Sequence, residues 1–528
     1  MPMRDLDLLM LERRVEALLA PFGAAGSPGC SIGLVREGTL VLHRSAGLAS
    51  IEQGVAIGPA TTFRIASVTK QFVCAAALLL AEDGALSPDD DIAALIPELP
   101  DLGARITLDH VMRNSSGIRD MLELMRLGGL DLGAACTAGD LLAALCRQRS
   151  LNFAPGSRFL YSNSGFFLLG LAVERAAGMP LAAFLEKRIF APLGMTRTRL
   201  TPTTSEVVPG LATGYLPRES RFIRAAHGFA LGGEGGIVSC VEDLALWARN
   251  YETGRVGGPA MVQALQHRQT FTNGALNLYA RGLEAGEHRG VPTMGHGGLW
   301  PGFRTAFLRA PGEGLTIIVI TNHGGAEPGA IATEVLDAAL AGTPGLAPVP
   351  ALPARPVLEA MCGLWVQPED GASFDLFLDG DGRPVARSHG VPAALVPLPD
   401  GALTARRGSF CFTLRSAGDA LELESDAGQR GLYRRATAEA PMPEGLPGRY
   451  ACAELGTEWS IDADHRVTAR GPHAVGGPWR LEPVAPGLLR LHIPGALFDT
   501  WADIRLLPGG ALEANAARAR RLVFDRIA

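Results

Sequence analysis

Apolar positions recur along the first two thirds of the chain with two different periods. Residues 67–82, 140–146, 164–177 and 331–340 carry them at helical spacing, which predicts four helices. Strand-like runs at 31–35, 40–44, 297–299, 305–309 and 315–321 predict strands. Two strands fall near the start and three near the end of this region, with helices between them. The pattern therefore predicts one α+β domain over residues 1–342, an antiparallel sheet flanked by helices and closed by sequence-distant pieces. The segment TPGLAPVPALPARP at 343–356 holds prolines at 344, 348, 350, 353 and 356 and predicts an extended linker.

Beyond the linker the pattern changes to short strands separated by Gly and Asp turns, and it does so twice. Gly363-Leu-Trp365 opens a stretch that ends in LYRR at 432–435. Gly448-Arg-Tyr450, offset by 85 residues, opens another that ends in LVFDR at 522–526. Two units at 357–440 and 441–528 predict small antiparallel β-barrels, because closure removes exposed sheet edges. One larger β domain is the alternative.

The 528 residues suit three to four domains at roughly 150 each. With 47% apolar and 19% charged residues the chain can bury a core, which excludes a mostly disordered protein. A net charge of −6 gives no support to a nucleic-acid groove. No stretch reaches the ~18 apolar residues of a membrane span. The first 26 residues interleave Asp, Glu and Arg with Leu, unlike an export leader. A soluble cytoplasmic protein is expected, with neither nucleic acid nor membrane as partner and a homodimer left open. Eight scattered cysteines without a C-x-x-C pair predict free thiols.

Only two of the 48 basic residues are lysines, and one of them, Lys70, follows Ser67 by three positions at the start of a predicted helix. Residues i and i+3 share a helix face, so the amine can reach the hydroxyl and, if desolvated, accept its proton. Tyr161-Ser162-Asn163 precedes the helix near 164. A phenol there can relay a proton, and an amide can hold a carbonyl or the lysine; the structural alternative is a capping Asn beside a core Tyr. Gly295-His296-Gly297-Gly298 competes with His323-Gly324-Gly325 as a third motif. His296 is preferred because its glycines begin a strand, which places it at the sheet end opposite His323. The cluster Gly232-Gly233-Glu234-Gly235-Gly236 lacks nucleotide-loop spacing and predicts a turn.

The order S-V-T-K, Y-S-N, H-G-G resembles the penicillin-recognising serine hydrolases, which include class C β-lactamases, DD-peptidases and related esterases. The sequences Phe63-Arg64-Ile65-Ala66-Ser67, Ser115-Ser116-Gly117, Phe190 to Met195 and Gly235-Gly236-Ile237-Val238-Ser239 agree with it. The resemblance covers residues 10–342 and implies a serine β-lactamase-like fold. It implies Ser67 as acyl-enzyme nucleophile, Lys70 and Tyr161 as proton-transfer pair, Asn163 as positioning group and His296 in place of the third-motif lysine. Gly297, Gly298 and Leu299 would line the substrate, with the N–H groups of Ser67 and Leu299 as oxyanion hole. No metal or organic cofactor is implied.

With two C-terminal β domains the chain is similar to the D-aminopeptidases of that family, which implies release of N-terminal D-residues from small peptides or amides. In those enzymes a loop from the last domain presents an acidic group to the substrate ammonium. The matching stretch here is 492–501, with Asp499 the nearest anion. Asp503 and the backbone carbonyls of 493–497 are open to the same role, and packing of this loop on its own barrel alone is the alternative. An esterase or DD-peptidase, or a protein that binds β-lactam-like ligands without turnover, are the other readings.

Overall fold

Six antiparallel strands make the first sheet: β1 (Cys30–Arg36), β2 (Thr39–Ala46), β3 (Glu284–His288), β4 (Val291–Trp300), β5 (Phe303–Ala310) and β6 (Leu315–Thr321), in the order β3-β4-β5-β6-β1-β2. The computed structural model describes residues 6–527 apart from 132, 231, 344–345, 408–409, 426, 437–439 and 496–497. Pairing of β1 with β6, in register from Cys30 against Thr321 to Arg36 against Leu315, joins the two ends of the domain.

The central strand β6 is buried at every position because both of its faces are covered. Ile317 and Val319 face a core with Leu11, Val15 and Leu19 of α1 (Leu8–Leu19) and Val335 and Leu336 of a late helix, Pro328–Ala339. Ile318 and Ile320 face the other core, built on α2 (Thr69–Glu82), α3 (Met121–Leu127) and α4 (Asn163–Ala177). Helix α2 is buried at every position from Thr69 to Leu80, which explains its apolar character all round. Among the described residues no single helix is long and apolar enough to cross a membrane.

Two details depart from the sequence reading. Strand β3 was not anticipated, and its hairpin with β4 starts the latter at Val291, so His296 sits in mid-strand and not at its beginning. The linker also ends earlier than expected. Residues 346–354 have no regular structure, but a helix runs Arg355–Met361 with its proline in the first turn, where a missing N–H costs nothing. Residues 344–345 of the linker lie outside the described residues.

Residues 363–435 fold into a nine-stranded antiparallel sheet whose two end strands, Val391–Ala394 and Val396–Pro397, are separated by one residue, so the sheet is nearly closed. Residues 448–526 form a closed eight-stranded barrel. The repeat in the sequence has a physical counterpart, since in each unit the first strand pairs with the last, Trp365 with Arg435 and Tyr450 with Arg526. In each the opening aromatic also donates to a carbonyl four residues upstream: Trp365 Nε1 to Met361 O, 2.9 Å, and Tyr450 Oη to Leu446 O, 2.7 Å. Seven cysteines are free thiols; the side chain of the eighth, Cys411, lies outside the described residues.

The last barrel shares one continuous apolar core with the first domain. Trp459 Nε1 donates to Leu127 O at the end of α3, 3.1 Å. Arg119, whose side chain is fully buried, pairs with Glu454 at 2.6 Å and donates to the carbonyls of Arg520 and Arg521. Removing one partner of a buried pair leaves an uncompensated charge. Glu454→Ala is therefore expected to destabilise the whole chain by about 3 kcal/mol, read as a shifted midpoint in urea unfolding; an unchanged midpoint would mean that the barrel docks without this contact.

Candidate active site

Strand Phe63–Arg64 runs into α2 through a single turn, and the residue before the serine, Ala66, adopts the left-handed φ of 50°. Such a backbone costs about 1–2 kcal/mol for a residue with a Cβ and is stored here immediately beside Ser67. The short 3-10 turn Ala66–Val68 then leads into α2, which places Lys70 under Ser67.

The Lys70 amine is buried and has three oxygen neighbours. It lies 3.0 Å from Ser67 Oγ, 3.0 Å from Asn163 Oδ1 and 2.6 Å from Glu234 O. Burial pulls its pKa down to about 7, against the opposing pull of Glu234 and Asp120. A neutral amine has two N–H bonds, and the two carbonyl oxygens accept both. Its lone pair is then left for the Ser67 hydroxyl. The rings of Tyr161 and Phe166 stand 4.8 and 5.2 Å from the nitrogen and exclude water.

Asn163 can present its oxygen to Lys70 because its nitrogens are held elsewhere. Asp120 Oδ2 accepts from both Asn163 N, 2.7 Å, and Nδ2, 3.0 Å, which fixes the amide orientation. Asp120 is fully buried and caps α3, its other oxygen accepting from Leu122 N. The two serines flanking Asn163 are committed to structure. Ser162 caps α4, while Ser164 donates to Arg119 O and accepts from Met121 N, both at 2.7 Å.

The Tyr161 hydroxyl is hydrogen-bonded to Ser67, and burial pushes its pKa far up, so it stays a phenol. His296 comes to the same cluster, its ring 6.0 Å from that of Tyr161. Its Nδ1 donates to Gly297 O, 2.6 Å, and its Nε2 accepts from Tyr279 Oη, 2.8 Å. Burial and Lys70 hold its pKa at about 3, so the imidazole is neutral. At Gly298 a Cβ would stand 2.4 Å from Ile65 O, so only glycine lets β4 approach the turn that carries Ser67. Gly297 and the exposed Leu299 alternate on the opposite side of the strand from His296 and Gly298.

His323 lies elsewhere, edge-on to Phe22 and Phe222 and with Nδ1 accepting from Gly325 N. The separation of the two histidines differs from the one expected. With His296 in mid-strand they are not at opposite sheet ends: Phe22 belongs to the core on one sheet face, and Tyr161, which meets His296, to the core on the other.

Asp499 is exposed, and its carboxylate accepts from Gly495 N of its own loop, 3.2 Å; among the described residues no hydrogen bond or ion pair takes it to a motif residue. Pairing of Ile493 with Thr500 pins both ends of this short loop, and its Phe498 lies under Arg126 of α3. Residues 496–497 lie outside the described residues. Asp503 is buried against Ser373 of the middle domain, 2.9 Å. The part of the last barrel that does border the cluster is a different hairpin, 516–521. There Arg518 O accepts from Asp120 N, 3.0 Å, and its guanidinium lies 3.5 Å from Asp120 and 3.3 Å from Glu123.

Asp120, Glu234, Tyr279 and Arg518 were thus missed from the sequence. Asp120 had a weak signal, an Asp just ahead of a helix. Glu234 was read as part of a turn, which it is, but its carbonyl also completes the lysine's shell. Among the described residues no group of three or more His, Cys, Asp or Glu is placed to hold a metal ion.

A buried amine beside a helix-start serine, with a phenol hydrogen-bonded to that serine, is equipped for acyl transfer through it. The relatives agree. A D-aminopeptidase of Brucella canis is 31% identical over 528 residues, covering 99% of this chain and 95% of its own. The structure of a D-amino acid amidase from Ochrobactrum anthropi SV3 matches with a TM-score of 0.54 and 25% identity, over 62% of this chain and 98% of that one. An octameric penicillin-binding protein homologue from Pyrococcus abyssi shares the fold over 81% of this chain and all of its own, with a TM-score of 0.57 and 22% identity. Residues 11–341 match the family model described as Beta-lactamase, and the chain belongs to that family of serine hydrolases.

Proposed function

We propose that the protein is a D-aminopeptidase, which releases N-terminal D-residues from short peptides or amides through an acyl-enzyme on Ser67. The observation that carries the chemistry is the orientation of Lys70. With both N–H bonds given to Asn163 and Glu234, its lone pair takes the Ser67 proton as Oγ attacks the substrate carbonyl. The Ser67 and Leu299 N–H groups receive the developing oxyanion. Tyr161, a phenol bonded to Ser67, passes the proton to the leaving amine, and water then takes the acyl group off Ser67. The D-specificity rests on the named activities of the relatives, which match this chain along both β domains as well. Free thiols in seven positions fit a reducing compartment, so the cytoplasm is the proposed location.

The reading is tested by comparing D-alanyl and L-alanyl amides, simple esters and a cephalosporin. Turnover is expected to favour the D-alanyl amide, and a serine-reactive phosphonate should label the peptide spanning 66–70. Preference for the L-amide or for esters, or labelling that survives Ser67→Ala, would overturn it.

Lys70→Ala and Tyr161→Phe should each lower kcat by ~10²- to 10⁴-fold with little change in KM. Because the folded pKa of Lys70 is lowered to about 7, the proton-accepting form is present above that pH. Activity is expected to rise through pH 7 and then level off, since Tyr161 stays protonated well beyond; a rate that falls through pH 7 would mean that the ammonium is the working form.

A leaving-group role for His296 would need a free ring N–H. Both ring nitrogens are engaged, so His296 holds Tyr279 and the strand edge. His296→Ala is accordingly expected to reduce kcat/KM by the same factor for D-alanyl amides and for activated esters. A larger loss on amides would return the leaving-group role to it.

A further inference from the structure

A cavity of about 480 Å³ lies where the three domains meet, walled by residues 152–153 and 158–160 of the first, residues of the middle sheet, and Ala517 and Arg520 of the 516–521 hairpin. Its volume is that of a ligand site. Two guanidinium groups that form no ion pair among the described residues line it, those of Arg158 and Arg520. Arg158 is held over the Phe153 ring at 5.5 Å, and its buried Nε has no hydrogen-bond partner. Burial pushes its pKa down, and so do the like charges of Arg520 and Arg521. The third arginine in the wall, Arg430, faces Glu422 and Glu424. The one acid in the wall is Asp370, which accepts from Ala372 N and forms no ion pair with Arg158 or Arg520. Asp370 partly offsets the charge of Arg158, and Asp503, buried behind Ser373, attracts Arg520, but neither carboxylate forms a direct ion pair with them among the described residues, so two guanidinium groups still face a partly desolvated space that a further anion would suit.

The wall of this cavity is also the wall of the reaction centre. Phe159 and Leu160 directly precede Tyr161, and the Phe159 ring lies 5.6 Å from that of Tyr279, the partner of His296. Arg518, beside Asp120, stands between the two hairpin residues that line the cavity. We propose that this chamber receives the C-terminal carboxylate of a short peptide substrate, held by Arg158 and Arg520, while the N-terminal residue acylates Ser67. Paired guanidinium groups suit the flat, two-oxygen acceptor of a carboxylate. The preferred substrates are then short peptides with a free C-terminal acid, and simple amides or end-blocked peptides are poorer ones. This rests on the aminopeptidase reading for the identity of the N-terminal residue, but not for the carboxylate.

The test compares D-alanyl di- and tripeptides as free acids and as C-terminal amides. It uses kcat/KM on the full chain and, independently of turnover, calorimetric binding to Ser67→Ala. The acid is expected to be favoured about tenfold in at least one peptide length, the size of one charge-assisted hydrogen bond. In Arg158→Gln/Arg520→Gln the acid-to-amide ratio should fall to about one. Equal handling of acid and amide by the unmutated chain, at both lengths and in both measurements, overturns the proposal even if the double variant does not fold. So does a preference that survives in a folded double variant. If D-alanyl substrates are not hydrolysed but peptide acids still bind Ser67→Ala in preference to amides, and lose that preference in the double variant, the aminopeptidase reading fails and the chamber stands.

Discussion

The site depends on one buried amine. Lys70 sits in a helix buried at every position from Thr69 to Leu80, and a charge there would have to be stabilised against desolvation. Burial lowers its pKa to about 7 against the pull of Glu234 and Asp120, so the neutral form is available near neutral pH. Two carbonyl oxygens fix the direction of its N–H bonds, two aromatic rings exclude water, and the remaining neighbour is the nucleophile. Each of those carbonyls has its own support. Asn163 is oriented by Asp120, and Glu234 O is delivered by a glycine turn whose amides at 235 and 236 both donate to Gly232 O.

That chain of support extends into the last barrel. Asp120 donates its backbone N–H to Arg518 and pairs with its guanidinium, and Arg119 next to it is satisfied by Glu454 and by two hairpin carbonyls. The barrel is therefore more than a cover over the cleft. It completes the hydrogen bonding of the residue that aims Asn163 at the lysine, and the shared apolar core holds it there. A β domain distant in sequence thus acts on Lys70 through three contiguous buried bonds, Arg518 to Asp120, Asp120 to Asn163 and Asn163 to Lys70.

Periodicity made the elements legible where one physical force dominates. The buried strand at 315–321 and the helix after Ser67 have compositions that no exposed element tolerates, and the structure places both as expected. Ser67, Lys70, Tyr161 and Asn163 were legible because two of them share a helix turn and the other two sit at the start of another. The omissions have a common cause. Arg518 and Tyr279 act through tertiary contacts that leave no trace in local spacing, and Glu234 contributes a backbone oxygen that any residue could supply. Strand Glu284–His288 was missed because its residues are half-buried and polar, and a sheet edge imposes no apolar pattern. Asp499 was chosen by its place in a sequence match, but the length of a loop between two paired strands decides how far its tip extends.

The scarcity of lysine allows the protonation of Lys70 to be observed directly. The chain has two lysines, so in Lys187→Arg the side-chain nitrogen and ε-carbon signals of isotope-labelled lysine belong to Lys70 alone. Followed by NMR from pH 5 to 11, they are expected to titrate with a midpoint near 7 in the folded protein, and Asn163→Leu, which removes one of the two carbonyl acceptors, should alter that midpoint. A Lys70 that titrates near 10.5, as an ordinary lysine does, would contradict the account, because an ammonium has no lone pair to offer Ser67.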